Sequence, residues 1–301
     1  MRIVTRSDFD SLISSVLLNI THDIDDVIIV QPRDITENLI EITANDIITN
    51  LPYHKNCGYW FDHHINEDEH ARNEKFKGHF SIAPSCSRVI FDYYRNNPEI
   101  IRLESVVMIA DKIDSAQLTI EDIKNPLGWF IIDRTLHAFD PNGRLGDFRD
   151  YFRKLMQWIR EYSLSEILLA DEVQARIEHV RSEHKLFLEA IRECTHVEEN
   201  VIVTDSRKLR FFPNGNRYLI YTLYPVQNVS VSIFNRRDSD FSVIFCGHNI
   251  FNRTCKTDIN TLMKKFNGSG RLTAGTCIVH INDADSVLRQ IIDELKHNDA
   301  K

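Results

Sequence analysis

The sequence predicts an α/β fold: an N-terminal doubly wound parallel sheet, a helical linker, and a smaller C-terminal α+β domain with a mixed sheet. Three observations predict it. In the first half, short Val- and Ile-rich runs alternate with helical stretches, the pattern of βαβ units. From Ser163 to about Cys194, one long amphipathic pattern places Leu169, Val173, Ile177, Val180, Phe187 and Ile191 on a single stripe. Beyond it, short strand-like runs and a Pro213-Asn-Gly215 turn signal mark a second unit. The corresponding domains are 1–162, a linker at 163–196, and 197–301.

Arg2–Thr5, Val27–Gln31, Asp46–Thr49 and Gly58–Phe61 read as strands. Between the first two, Leu12, Ile13, Val16, Leu17 and Ile20 recur at helical spacing. Further helices are predicted around Ser87–Arg95 and Ser105–Asp114, and Ser163-Leu-Ser-Glu166 is a capping box opening the linker helix. In the second unit, Val201–Thr204, Tyr218–Leu223, Val229–Phe234, Phe241–Phe245 and Thr276–Ile281 read as strands, with helices at Asp258–Phe266 and from Ala284.

With 301 residues, 43% hydrophobic and 27% charged, the composition excludes a disordered or low-complexity chain. No apolar run approaches the ~18 residues of a membrane span, and the first residues enter a strand pattern rather than a signal peptide. A soluble, cytoplasmic protein without membrane contact is expected. The six cysteines are scattered without CxxC spacing and read as reduced thiols. The net charge of −8 disfavours broad capture of duplex nucleic acid, but it is unevenly spread. Residues 201–301 hold 14 Lys/Arg against 9 Asp/Glu, a net of +5 that leaves −13 on the first 200.

Ser7-Asp8-Phe9-Asp10 lies between the first strand and first helix, at the carboxyl edge where open parallel sheets collect ligands. Taken alone, Asp-x-Asp there also reads as an N-cap with first-turn charge. Asp62-His63-His64 follows another strand, where two imidazoles and a carboxylate can supply a metal ligand, an orienting partner and a proton donor. In Ala110-Asp-Lys-Ile-Asp114, the two aspartates share a helix face, a spacing common on solvated surfaces. Clustered carboxylates repel unless a cation compensates them, and carboxylate with imidazole suits Mn, Mg, Fe or Zn. Three of ten glycines fall within Asn267-Gly-Ser-Gly-Arg-Leu-Thr-Ala-Gly275, with Arg253, Lys256, Lys264, Lys265 and Arg271 around it. That loop reads either as an anion nest or as a hairpin with solvated cations.

Val4-Thr-Arg-Ser-Asp-Phe-Asp10, the Asp62-His-His64 triplet, Ala110-Asp111 and the late glycine loop, in this order, resemble the DHH phosphoesterase superfamily with its DHH-associated C-terminal domain. Asp46-Ile-Ile-Thr-Asn-Leu-Pro-Tyr53 and Gly247-His-Asn-Ile-Phe-Asn-Arg-Thr254 resemble its exopolyphosphatase-related branch. The resemblance implies Mn²⁺ or Mg²⁺ in a cleft between domains and hydrolysis of phosphodiester or phosphoanhydride bonds. Asp8 would serve one metal and Asp10 the other, with His63 and Asp111 as further ligands of the second. His64 would lie beside the phosphoryl group, oriented by Asp62. Asn249, Arg253, Gly268, Ser269, Gly270 and Arg271 would grip the substrate's phosphates.

Three positions depart from the family pattern. Arg6 stands where a metal-binding His is usual, either Asn50 or Asp46 takes the bridging-carboxylate position, and Arg271 replaces a loop His. Because Arg stays protonated, it cannot ligate a metal. The first metal site is therefore expected to be weak or absent, with the Arg6 guanidinium taking part of its electrostatic role. Substrates implied are a short oligonucleotide, a cyclic dinucleotide or polyphosphate, and a homodimer is compatible with the sequence. The alternative function is a catalytically impaired protein that binds a nucleotide or phosphate ligand.

Overall fold

The computed structural model describes residues 1–138, 140, 142–237 and 239–299. The chain divides into two compact units, Met1–Val180 and Arg181–Lys301, with the boundary inside the helix Asp171–Cys194. No helix among the described residues is long and apolar enough to cross a membrane.

In the first unit, strands β1 (Arg2–Thr5), β2 (Asp26–Ile29), β3 (Asp46–Thr49), β4 (Tyr59–Asp62) and β5 (Gly78–Phe80) form a parallel sheet in the order β2-β1-β3-β4-β5. Side chains alternate across a strand, so adjacent apolar residues feed two cores. Ile3, Ile47 and Phe61 join one face, which is covered by the helices Phe9–Thr21, Cys86–Tyr93, Glu104–Asp114 and Phe148–Glu161. Val4, Ile48 and Trp60 join the other, with Val30, Ile35, Ile42 and Leu51. The Trp60 indole N–H donates to the Leu51 carbonyl at 3.0 Å, so the buried ring leaves no polar atom unpaired.

The edge strand β5 has no apolar alternation and was not legible in the sequence. It depends on Gly78, whose φ is +111° and where a Cβ would sit 2.0 Å from the Trp60 carbonyl oxygen. The Ser163–Glu166 capping box is present, but the amphipathic stretch behind it is two helices, Leu164–Leu169 and Asp171–Cys194. Ala170 breaks the run with ψ 131°, and its carbonyl starts the second helix by accepting from the Gln174 amide at 2.9 Å.

In the second unit, β6 (Thr195–Glu198), β7 (Val201–Asp205), β8 (Val229–Asn235), β9 (Phe241–His248), β10 (Ser269–Arg271) and β11 (Ala274–His280) form a mixed sheet ordered β10-β11-β9-β8-β7-β6. Within this sheet, among the described residues, only β7 and β8 are parallel neighbours. One face packs on the helices Ile259–Lys264 and Ala284–Asp299 through Val203, Val231, Ile233, Ile244 and Cys246. Tyr218–Leu223, expected as a strand, is instead a short helix over Leu219–Leu223. A parallel pair requires a crossover, and this apolar run lies within it. Its Tyr221 hydroxyl bonds to Ser230 Oγ at 2.8 Å and the Gly247 carbonyl at 3.0 Å, fixing the helix on the sheet.

Glu198 ties the edge strand β6 to the last helix through Arg289 at 2.8 Å and Lys296 at 2.7 Å. These hydrogen bonds hold its carboxyl at about 2, below the ordinary 4.5. The folded state therefore binds fewer protons than the unfolded chain between those values. The contribution is complete above about 4.5 and lost as pH falls toward 2. Thermal melts of Glu198→Gln should lie below wild type at pH 7 and converge with it as pH falls through about 2; parallel curves would exclude this linkage.

Candidate active site

The order β2-β1-β3-β4-β5 places a topological switch point between β1 and β3, where the chain leaves the sheet in opposite directions and opens a crevice. Asp8 follows β1 there, and Asn50 follows β3. Asp8 is the N-cap of the first helix, accepting from the Ser11 amide at 2.9 Å. Buried Asn50, at φ +58°, donates its amide to Asp8 Oδ1 at 3.1 Å and to Ser11 Oγ at 3.0 Å. Arg6 Nε lies 3.3 Å from Asp8 Oδ2. Both Asp8 oxygens thus face N–H groups, and the N-cap reading of this residue is part of the structure. Asp46 lies at the other end of β3, paired with Arg2 at 2.6 Å, so Asn50 is the β3 residue beside Asp8.

Asp10 is buried, and its two oxygens accept from the amides of Cys86 and Ser87, each at 2.8 Å. These amides open the helix Cys86–Tyr93, whose positive end suits a carboxylate. Burial still dominates, and with the negative charges of Asp114 and Asp8 it pushes the Asp10 carboxyl up to about 7, against the opposing pull of His63.

His63 Nδ1 meets the Ala83 carbonyl at 3.0 Å. A carbonyl only accepts, so Nδ1 carries the proton and the neutral ring presents its lone pair at Nε2. Nε2 is buried without a hydrogen bond and lies 3.4 Å from Asp114 Oδ2, in an ion-pair contact that lacks hydrogen-bond geometry. Burial lowers the His63 pKa, but Asp10 and Asp114 outweigh it and leave it raised. One ligand atom each from Asp10, His63 and Asp114 lies within 4.8 Å of the others. Two carboxylates and an oriented imidazole are a donor set for one divalent cation. Beside it, Asp62 Oδ1 accepts from His64 Nδ1 at 2.8 Å, and the two imidazole rings are 4.3 Å apart.

Asp111 is engaged differently. Its Oδ2 receives Arg88 Nη2 at 2.7 Å and Nε at 3.0 Å, and its Oδ1 accepts from Ser85 Oγ at 2.6 Å. Ser85 caps the helix whose amides hold Asp10. Asp111 and Asp114 thus share a face of Glu104–Asp114, one meeting Arg88 and the other His63.

No protein-family model matches the chain, and no curated protein matches it. Among solved structures, it is similar to the pGpG-specific phosphodiesterase PggH from Vibrio cholerae, at 33% identity and TM-score 0.81, covering 99% of each chain. The chain belongs to the DHH phosphoesterase superfamily. The DHH domain of a member of a ribosomal-protein family shares the fold at 14% identity and TM-score 0.62, covering 98% of this chain and 86% of that one. An exopolyphosphatase-related protein from Bacteroides fragilis does so at 13% and 0.57, covering 100% and 93%.

Elsewhere in this DHH protein, several of the residues expected to grip phosphate also make contacts within the second unit. Asn249 is buried, donating to the Gln227 carbonyl at 2.7 Å and accepting from the Phe251 amide at 2.8 Å. Arg253 Nε donates to the Ile250 carbonyl at 3.0 Å. Ser269, Gly270 and Arg271 form the edge strand β10, and Gly268 leads into it. A Cβ at Gly270 would lie 2.4 Å from the Ala274 carbonyl oxygen, so close antiparallel pairing already requires glycine there. Arg271 is exposed.

Sequence reasoning missed the supporting residues Ala83, Ser85, Cys86, Ser87 and Arg88. Pro84-Ser85 before a helical pattern was the available capping signal. Arg88→Ala should lower stability by about 1–3 kcal/mol, because it strips charged donors from Asp111. Adding Asp111→Asn should recover part of that loss. Chemical denaturation of the single and double variants measures both, and additive losses would exclude the coupling.

Proposed function

We propose that the protein is a divalent-cation-dependent phosphodiesterase acting on a short linear dinucleotide such as pGpG. One observation carries the reading: Asp10, Asp114 and the buried His63 Nε2, which makes no hydrogen bond, converge beside the Asp62–His64 pair. The substrate class follows from the likeness to PggH, which extends over nearly all of both chains.

Asp10, His63 and Asp114 would hold one Mn²⁺ or Mg²⁺ ion. When bound, it supplies Lewis-acid stabilisation of charge on a phosphoryl oxygen. Asp8, occupied by Ser11, Asn50 and Arg6, is not counted as a ligand of that ion. The partly exposed Arg6 guanidinium, 3.3 Å from Asp8 through Nε, would make a charge-assisted contact with a non-bridging phosphate oxygen. Asp62 fixes the His64 tautomer, so Nε2 is the atom that exchanges a proton with the reacting oxygens. His64 protonated at Nε2 would donate to the leaving alkoxide.

Phosphate-ligand binding without turnover is the second reading, and the Arg6–Asp8 pairing favours it. Hydrolysis of pGpG in Mn²⁺ tests the two. Turnover should vanish with EDTA and return with Mn²⁺. His64→Ala should lower kcat about 10²–10⁴-fold with Mn²⁺ affinity retained. pGpG binding without hydrolysis would establish the second reading.

Metal titration separates the aspartates. In calorimetry with Mn²⁺, Asp10→Ala, His63→Ala and Asp114→Ala should each weaken binding at least about tenfold. Asp111→Asn should weaken it less. The opposite order would assign Asp111 as the ligand, with Arg88 released from it.

A further inference from the structure

The second unit's sheet has an outer face that its helices leave open. Alternation sends Val231 and Ile233 of β8, Ile244 and Cys246 of β9, and Cys277 and Val279 of β11 into the core. The intervening residues point the other way. Strand register aligns them in rows. Phe234, Val243 and Ile278 form one row, and Arg236, Phe241 and His280 the next. Tyr221 closes one end of this face through Ser230 and Gly247. Toward the other end, Phe234 is 42% exposed, Phe241 44% and Ile278 50%.

A cationic fringe borders these rings. Apart from Arg207, which pairs with Asp205 and Asp285, segments 206–212 and 235–241 together carry four Arg/Lys and two Asp, an excess of positive charge in a chain of net −8. Ser206 donates to the Ile233 carbonyl, which brings the first segment alongside the end of β8. The Arg237 guanidinium lies 5.9 Å from the Phe211 ring centre, joining the two segments, and Lys208, Arg210 and Arg236 are exposed.

We infer that this face, with Phe234 and Phe241 flanked by Arg236, Arg237, Lys208 and Arg210, binds single-stranded nucleic acid. Phe234 and Phe241 stand on neighbouring strands and successive rows. Strands ~4.8 Å apart and same-face residues ~7 Å apart put them on a diagonal of roughly 8 Å, close enough to engage two bases of one strand. Aromatic rings on a sheet surface stack unpaired bases, while arginines and lysines at the margin neutralise the connecting phosphates. A second copy of this chain fits the face poorly. A two-fold interface sets the patch against itself and would bring two patches of like charge together. Duplex nucleic acid offers no open base face to the rings. The inference does not use the metal centre and stands apart from the phosphodiesterase reading.

Fluorescence anisotropy with a fluorescein-labelled single-stranded RNA of about twelve nucleotides tests it, in EDTA so that no hydrolysis intervenes. Wild type should bind, with affinity falling as salt rises. Phe234→Ala combined with Phe241→Ala should weaken binding at least about tenfold. Arg236→Glu with Arg237→Glu should weaken it and flatten the logarithmic salt dependence by about 0.7 per lost phosphate contact. Both pairs are exposed, and unchanged thermal melts would show that the fold is kept. Wild-type affinity in either variant overturns the inference. So does sedimentation in which the aromatic variant loses a dimer and keeps RNA. RNA binding without pGpG turnover would leave it standing while the proposed activity fails.

Discussion

A carboxylate that has been forced indoors governs the first unit. Asp10 sits on the helix after β1 with almost no solvent contact, and an isolated buried charge is costly. Its neighbours read as answers to that cost. The Cys86–Tyr93 helix starts where it does so that two amides meet the two oxygens. The Ala83 carbonyl turns the His63 ring toward the same charge. The remaining imbalance, two carboxylates around one imidazole, is what a divalent cation would resolve.

Support for this arrangement runs outward through a chain of pairings. Arg88 neutralises Asp111, which receives Ser85 Oγ, and Ser85 caps the helix that holds Asp10. On the other side of the crevice, Asn50 and Arg6 satisfy Asp8 with an amide and a guanidinium. The two aspartates of Ser7-Asp8-Phe9-Asp10 therefore live in different chemistry. Asp8 caps a helix at the rim, and Asp10 belongs to the interior.

The sequence was informative where a residue's task is local. Paired apolar residues such as Ile3-Val4 and Ile47-Ile48 announce a sheet covered on both faces, and the Ser163–Glu166 box announces a helix start. Reading failed where distant chain decides. Tyr218–Leu223 has the composition of a strand but lies in the crossover of a parallel pair. β5 has three residues and owes its place to a glycine pressed against Trp60. The family resemblance implies Asp111 as the ligand; Asp114 shares its helix face, and spacing alone does not show that Asp111 meets Arg88 while Asp114 meets His63. Asp8, Asp10, Asp62, His63 and His64 were visible because they lie at or just beyond the carboxyl ends of β1 and β4.

The hydrogen bonds from Cys86 and Ser87 to Asp10 span 76 and 77 residues, and the His63 partner Asp114 lies still further along the chain. Such distant pairings require the loops between them to close. A chain emerging during synthesis lacks the third member of the Asp10, His63 and Asp114 cluster until the helix Glu104–Asp114 has packed in place. The cluster is thus a property of the completed first unit rather than of any one of its segments.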